Sequence, residues 1–242
     1  MSSIEQVRNK SWYNGPDFVY RKREGRKRET LTVHVTASAS PLKAVPLSSP
    51  VLSLIEKASQ KQVAVSRTLD FGAGCWLRYV EPILTKLPET ELHVVEYEEA
   101  FSGSAAATYL GLKSRFTHWS PGEFADVDES FDLILVVNVL NTIPETLHHQ
   151  QIFRFLSKRL NPLGWLAVYQ RVWAQNDNLP TAIPYGEGWI IPLQRQDACT
   201  YRAKTGAQWF NAEARGARLR PLQLGIPMTS GNTIFKVWEK PV

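Results

Sequence analysis

Only two cysteines occur in the 242 residues, Cys75 and Cys199, far apart in the chain. A disulfide framework and a cysteine-built zinc site are thereby excluded, no metal is expected, and a reducing compartment fits. Long apolar runs are missing too. None approaches the roughly 20 residues that a membrane-spanning helix needs, and the polar start MSSIEQVRNK has no signal-peptide core. A soluble, cytoplasmic protein without membrane contact is expected. Net charge is missing outside one place. The chain carries 28 Lys+Arg against 23 Asp+Glu, a net +5, and residues 21–28, RKREGRKR, hold six basic residues and one Glu. That segment accounts for the whole excess, so any contact with nucleic acid or another polyanion must be local to it.

What is present is a 43% apolar composition, enough to bury a sizeable core. The pattern predicts an N-terminal extension over residues 1–49 and one α/β domain over residues 50–242. In the extension, Phe18 to Tyr20 and Leu31 to Val35 are β-prone runs flanking Glu24-Gly25, which predicts a hairpin with a basic tip. TASASPLKAVPLSSP then reads as a crossing segment without periodicity. From Pro50 onward helices and strands alternate. SPVLSLIEKA has a serine cap, a proline at the first helical position and apolar residues at helical spacing. VAVSRTLD, ELHVVEY, FDLILVVNVL and GWLAVYQR are short apolar runs of the kind buried in a parallel sheet. Helices are predicted between them over 77–86, 98–110 and 147–160. Pro82 falls inside the first, so Glu81-Pro82 is an alternative start that leaves 75–80 as a loop. The order βαβαβ implies a doubly wound sheet.

The first strand runs into LDFGAGCWLRYV. Gly72 and Gly74 let backbone amides approach a ligand, while Trp76 and Leu77 stand where glycines of a dinucleotide pattern would fall. Asp70 would repel a pyrophosphate over the following helix and suits a cationic or zwitterionic ligand. The second strand ends in Glu96, placed to accept both hydroxyls of a ribose. Ribose with an ammonium group and no phosphate describes S-adenosylmethionine.

On these residues the chain resembles the class I S-adenosylmethionine-dependent methyltransferases over roughly residues 50–242. LDFGAG looks like the family's first motif, HVVEYEEAF like its second strand, FDLILVVNVLNTIPE like its fourth strand and following turn, and FLSKRLNPLGWLAVYQR like its helix, Pro-Gly turn and fifth strand. The resemblance implies a doubly wound, seven-stranded, mostly parallel Rossmann-like sheet whose last helix and antiparallel strand pair are TGAQWFNAEARG, ARLRPLQLG and NTIFKVWEK. It implies that Asp70, Gly72 and Gly74 hold the aminocarboxypropyl part of the cofactor, that Glu96 takes the ribose with Tyr97 beside the adenine, and that Asn138 faces the methionine or the methyl group. The acid usual after the third strand is absent, and His118, Trp119, Ser120 and Phe124 are candidates in its place.

The acceptor is not encoded in a motif. Methyl transfer works by alignment and desolvation without a mandatory acid or base. NVLN occupies the place of the tetrapeptide that marks amino-methylating nucleic-acid enzymes. A small-molecule acceptor ranks ahead of protein and nucleic acid, with Gln170 and Arg171 as acceptor-side candidates. The long insertion after the fifth strand, VWAQNDNLPTAIPYGEGWIIPLQRQDACTYR, is expected over the methyl donor. His148 and His149 read as a packed or solvent-facing pair, Cys75 as a small hydrophobe or a cofactor contact. A second reading is a non-catalytic binding module that holds nucleic acid or a protein through the basic hairpin and aromatic loop, with Trp76 filling the pocket.

Overall fold

The computed structural model describes residues 2–8, 12–13, 17–24, 27–34, 45, 49–61, 63–171, 181–192, 199–203, 207–226 and 233–242. The extension supplies β1 (Ser2–Arg8), β2 (Asp17–Glu24) and β3 (Lys27–His34). Next come α1 (Pro50–Ser59), β4 (Arg67–Phe71), α2 (Val80–Lys86), β5 (Glu91–Val95), α3 (Ala106–Leu112), β6 (Thr117–Trp119), α4 (Pro121–Asp126), β7 (Phe131–Val137), α5 (Thr146–Lys158) and β8 (Leu160–Arg171). The chain ends through β9 (Ile183–Tyr185), β10 (Gly188–Pro192), β11 (Cys199–Ala203), α6 (Ala207–Gly216), β12 (Arg220–Leu222) and β13 (Thr233–Glu239).

The larger sheet has seven strands in the order β12-β13-β8-β7-β4-β5-β6. β6, β5, β4, β7 and β8 are parallel, β13 pairs antiparallel with β8, and β12 pairs antiparallel with β13. The alternation of side chains along these strands divides the core in two. Leu69, Phe71, Ile134, Val136, Leu166 and Val168 join the cluster that includes Phe124, Phe153 and Phe210 from α4, α5 and α6. Leu92, Val94, Leu133, Leu135 and Ala167 join the one that includes Leu54, Ile55 and Ile83 from α1 and α2. Helices therefore cover both faces, which is why the central strands are apolar on both sides, each large buried side chain contributing about 1.5–3 kcal/mol. At the amino ends of the strands Asp132 is a clamp. One of its carboxylate oxygens accepts the amides of Ser66 and Arg67 at 2.8 and 3.0 Å, and the other accepts the Asn161 amide at 2.8 Å.

Several helices differ from their sequence expectation. α2 begins at Val80, not at residue 77, and so puts Pro82 in its first turn, where an amide has no partner within the helix. Residues 98–110 form no continuous helix: two short 3-10 turns, Glu98–Phe101 and Gly103–Ala105, precede α3 because Gly103 takes a φ of +58°. α4 was not expected, although SPGE carries its start, a capping box in which Ser120 and Glu123 bond each other's backbone amides. Ser49 flanks α1 but makes no cap; its hydroxyl lies 3.5 Å from that of Tyr79.

The larger departure is the long insertion. It does not form a free loop over the domain: within it β9, β10 and β11 continue the extension's own strands as one six-stranded sheet, β1-β2-β3-β11-β10-β9. The join is parallel, through Cys199 opposite Val33. This sheet straddles residue 50 and packs on the carboxyl side of β7, where Phe18 meets His148 and Tyr20 and Tyr185 meet Glu145. The hairpin is present, but its strands run through the basic residues up to Glu24 and Lys27. A Cβ on Gly188 would sit 2.3 Å from the Arg202 carbonyl and 2.7 Å from the Tyr201 hydroxyl, whereas one on Gly216 would meet nothing. Gly188→Ala is expected to cost about 1–3 kcal/mol and Gly216→Ala to gain about 0.5–1 kcal/mol, both read from denaturant midpoints.

Candidate functional site

Two carboxylates are buried at the carboxyl ends of neighbouring parallel strands. Asp70 lies inside the end of β4 with no solvent exposure, and neither of its oxygens has a hydrogen-bond partner among the described residues. Burial, then the charge of Glu96, push its carboxyl up from 3.8 to about 7, with Arg78 pulling the other way. Glu96 follows β5 and is better provided for. One oxygen accepts the Gly74 amide at 2.7 Å and the other the Tyr97 amide at 2.9 Å. Burial raises its carboxyl too, and those two amides oppose the rise.

Between the carboxylates runs the glycine loop. Gly72 has a φ of +74°, donates its amide to the Val95 carbonyl at 2.8 Å, and passes so close to Val139 that a Cβ would lie 2.3 Å from a methyl group. Gly74 has a φ of +71° but faces open space, with nothing within 4 Å of a Cβ. The first glycine is required by close packing and the second leaves a cradle. Trp76 is half-buried and belongs to neither apolar cluster, whereas Leu77 beside it is buried at a φ of +49°. Cys75 is half-buried, its thiol pushed up by burial.

Around this centre the expected residues are placed as follows. Asn138 directly follows β7 at a φ of +57°, its amide donating to the Tyr169 carbonyl at 2.8 Å. The Tyr97 hydroxyl donates to the Trp12 carbonyl at 2.5 Å. His118 donates from Nε2 to the Glu96 carbonyl at 3.1 Å and lies 3.3 Å from the Tyr109 hydroxyl; Trp119 donates to His93 at 3.2 Å; Ser120 is held in its capping box; and Phe124 is core. Gln170 is fully buried on the α5 side of β8, and Arg171 pairs through its backbone with Thr233, its side chain lying outside the described residues. The histidine pair is packed. His149 donates to the Ile143 carbonyl at 2.8 Å, and burial pushes it down to about 4, so it is neutral at pH 7 and pins the turn after β7.

Other residues at this edge carry no local sequence signal. Arg78 and Tyr79 flank Asp70 from the loop; Asn141 is buried with its carbonyl oxygen unbonded among the described residues; Tyr20 and Tyr185 both donate to one oxygen of Glu145, at 3.2 and 2.7 Å. At the hairpin, Lys22 lies 3.7 and 3.9 Å from Glu24 and Glu29, while Arg23 stands directly opposite Arg28. Among the described residues there is no cluster of metal-ligating side chains and no helix long and apolar enough to cross a membrane.

The burial of Asp70 makes folding depend on pH. Between about 3.8 and about 7 the folded chain holds a proton that the unfolded chain has released, so this group's contribution to stability falls as pH rises through that window and levels above it. Asp70→Asn is expected to be more stable than the parent at pH 8, by up to about 4 kcal/mol, with the gap closing toward pH 4 in denaturant unfolding. Gly72→Ala is expected to lose the native fold or melt well below the parent, while Gly74→Ala costs only the roughly 1–2 kcal/mol of a left-handed alanine.

No protein-family model and no curated protein sequence matches the chain. Solved structures do. A S-adenosylmethionine-dependent methyltransferase from Clostridium acetobutylicum superposes with a TM-score of 0.59 at 12% identity, over 81% of this chain and 92% of its own. One from Methanosarcina mazei gives 0.56 at 12% identity, over 76% and 96%. An O-methyltransferase family 2 protein from Planctomyces limnophilus, solved in complex with apigenin, gives 0.57 at 15% identity over 80% of this chain. The chain spans just over half of that protein's length, 56%, and the same share of an O-methyltransferase family protein from Burkholderia thailandensis. With Asp70, the two glycines and Glu96 at the carboxyl edge of that shared sheet, the chain has the fold of the class I S-adenosylmethionine-dependent methyltransferases.

Proposed function

We propose that the chain is a S-adenosylmethionine-dependent methyltransferase acting on a small-molecule acceptor. The observation that carries this reading is Asp70, a fully buried carboxylate whose two oxygens have no partner among the described residues. An unpaired buried charge is too costly to serve stability, so the site calls for a cation. The open cradle at Gly74 and the acid at Glu96 fit the rest of the same ligand. A pyrophosphate is a poor fit beside Asp70.

In this reading Asp70, Gly72 and Gly74 hold the aminocarboxypropyl group. Glu96 releases the Gly74 amide to take the ribose hydroxyls, and Tyr97 lies beside the adenine. Asn138 stands near the methyl group. Bound S-adenosylmethionine supplies an electrophilic methyl on a sulfonium. The chain's own task is to neutralise the ammonium, exclude water and align an acceptor nucleophile. Gln170 and Arg171 are acceptor-side candidates, joined by Asn141 on the turn after β7. The neighbour solved with apigenin supports a small acceptor. The second reading, a non-catalytic module, is favoured by one observation: Glu96 already has both oxygens satisfied by the amides of Gly74 and Tyr97.

Titration calorimetry separates the two. Heat is expected with S-adenosylmethionine and S-adenosylhomocysteine, at least tenfold weaker binding in Asp70→Ala and Glu96→Ala, and affinity that rises with pH up to about 7 as Asp70 ionises. Absence of heat with the parent chain would rule the methyltransferase reading out.

A further inference from the structure

Trp12 belongs to the extension, yet it touches the neighbours of both cofactor-motif acids. Its carbonyl accepts the hydroxyl of Tyr97, which directly follows Glu96. Its ring, only 4% exposed, packs edge-on against Phe71, the residue after Asp70 and before Gly72, at 5.4 Å. It also meets Phe155 of α5 at 5.2 Å. The next carbonyl, that of Tyr13, lies 3.5 Å from where a Cβ on Gly122 would be, in the first turn of α4 just after β6. Residues 12 and 13 thus reach the last residue of β4, the second residue after β5 and the first turn of α4 after β6.

We propose that Trp12 is a positioning residue of the cofactor site, holding Tyr97 through its carbonyl and Phe71 through its ring, so that residues 12–13 wall the adenosine end and couple docking of the extension to binding of an adenosyl ligand. This rests on the reading of the site as one for S-adenosylmethionine. The coupling has a physical route. Gly74 and Tyr97 both donate amides to Glu96, and Tyr97 carries the link onward to Trp12. A ribose that claims Glu96 must change the Gly74 bond and load the Tyr97 end of the same short chain. Five residues beyond Trp12, β2 begins, and Phe18 and Tyr20 seat it on His148 and Glu145 at the acceptor side. The extension therefore reaches from the adenosine end of the site to the turn after β7. Linkage requires that what the ligand does to the docking of the extension, the docking does equally to ligand affinity.

The test combines calorimetry with amide hydrogen exchange, using S-adenosylhomocysteine as the probe on the full chain. Saturating probe is expected to slow exchange in peptides covering residues 2–24. Tyr97→Phe, which removes one hydroxyl, is expected to weaken binding by about three- to tenfold and to abolish that protection, while lowering Tm by no more than about 4 °C. Trp12→Phe keeps the carbonyl and an aromatic ring and is expected to bind within about threefold of the parent; Trp12→Ala is expected to lose both affinity and protection. A merely structural Trp12 would change Tm without linking the probe to exchange in 2–24. Parental affinity and unchanged protection in Tyr97→Phe would overturn the proposal, as would a parent that binds the probe with no change in 2–24. A parent that binds no probe at all fails one step earlier, at the cofactor reading, and takes this inference with it.

Discussion

Burying the Asp70 carboxylate without a hydrogen-bond partner among the described residues is the constraint on which the rest of the site depends. Nothing in the packing of β4 needs a carboxylate there; the same strand places Leu69 and Phe71 on either side of it in the apolar core. The charge is tolerable only partly protonated, or opposite a cation. Its neighbours are arranged around that fact. Arg78 offsets the charge from the loop, the left-handed glycines bring backbone amides toward the strand end, and Glu96 stands one strand away with its own charge held by the amides of Gly74 and Tyr97. Stability is thereby lowered at a site that, in the proposed reading, takes a positively charged, hydroxyl-bearing ligand.

The two ends of the strands contrast. At the amino ends Asp132 has three donors to its two oxygens and serves as a clamp. At the carboxyl ends polar groups are buried with bonds still to be made: Asp70 in full and Asn141 in part, among the described residues. The turn after β7 is rigid for reasons of its own, with a neutral His149 on the Ile143 carbonyl and two tyrosines on Glu145. Those tyrosines come from β2 and β9, so the second sheet is fastened to the turn after β7.

Much of the fold was legible because a buried parallel strand must be apolar on both faces, and four such runs announce themselves by composition. Asp70, Gly72, Gly74 and Glu96 were legible for a related reason: a carboxylate or a glycine at the end of an apolar run is locally out of place. Errors arose where local and tertiary signals compete. Pro82 sets the start of α2 at Val80, one residue from the alternative start at Glu81-Pro82, Gly103 breaks a helix that periodicity alone would continue, and the SPGE capping box starts a helix too short for periodicity to mark. The adenine candidates could be named but not resolved, since His118 and Trp119 each spend a polar group on a partner outside any local pattern, and Ser120 is taken up by its capping box.

The sequence by itself determined the doubly wound sheet, the order of its motifs and the pairing of an acid and two glycines with a second acid downstream, because those features follow from spacing along single strands and turns. Only the tertiary structure decided that the extension and the insertion form one sheet, that Trp12 stands behind Tyr97 and Phe71, and that Tyr20 and Tyr185 share Glu145. The reason is distance along the chain. Each of those contacts joins residues with no common periodicity, such as Cys199 and Val33, and an edge strand carries no local mark of which other edge it will meet.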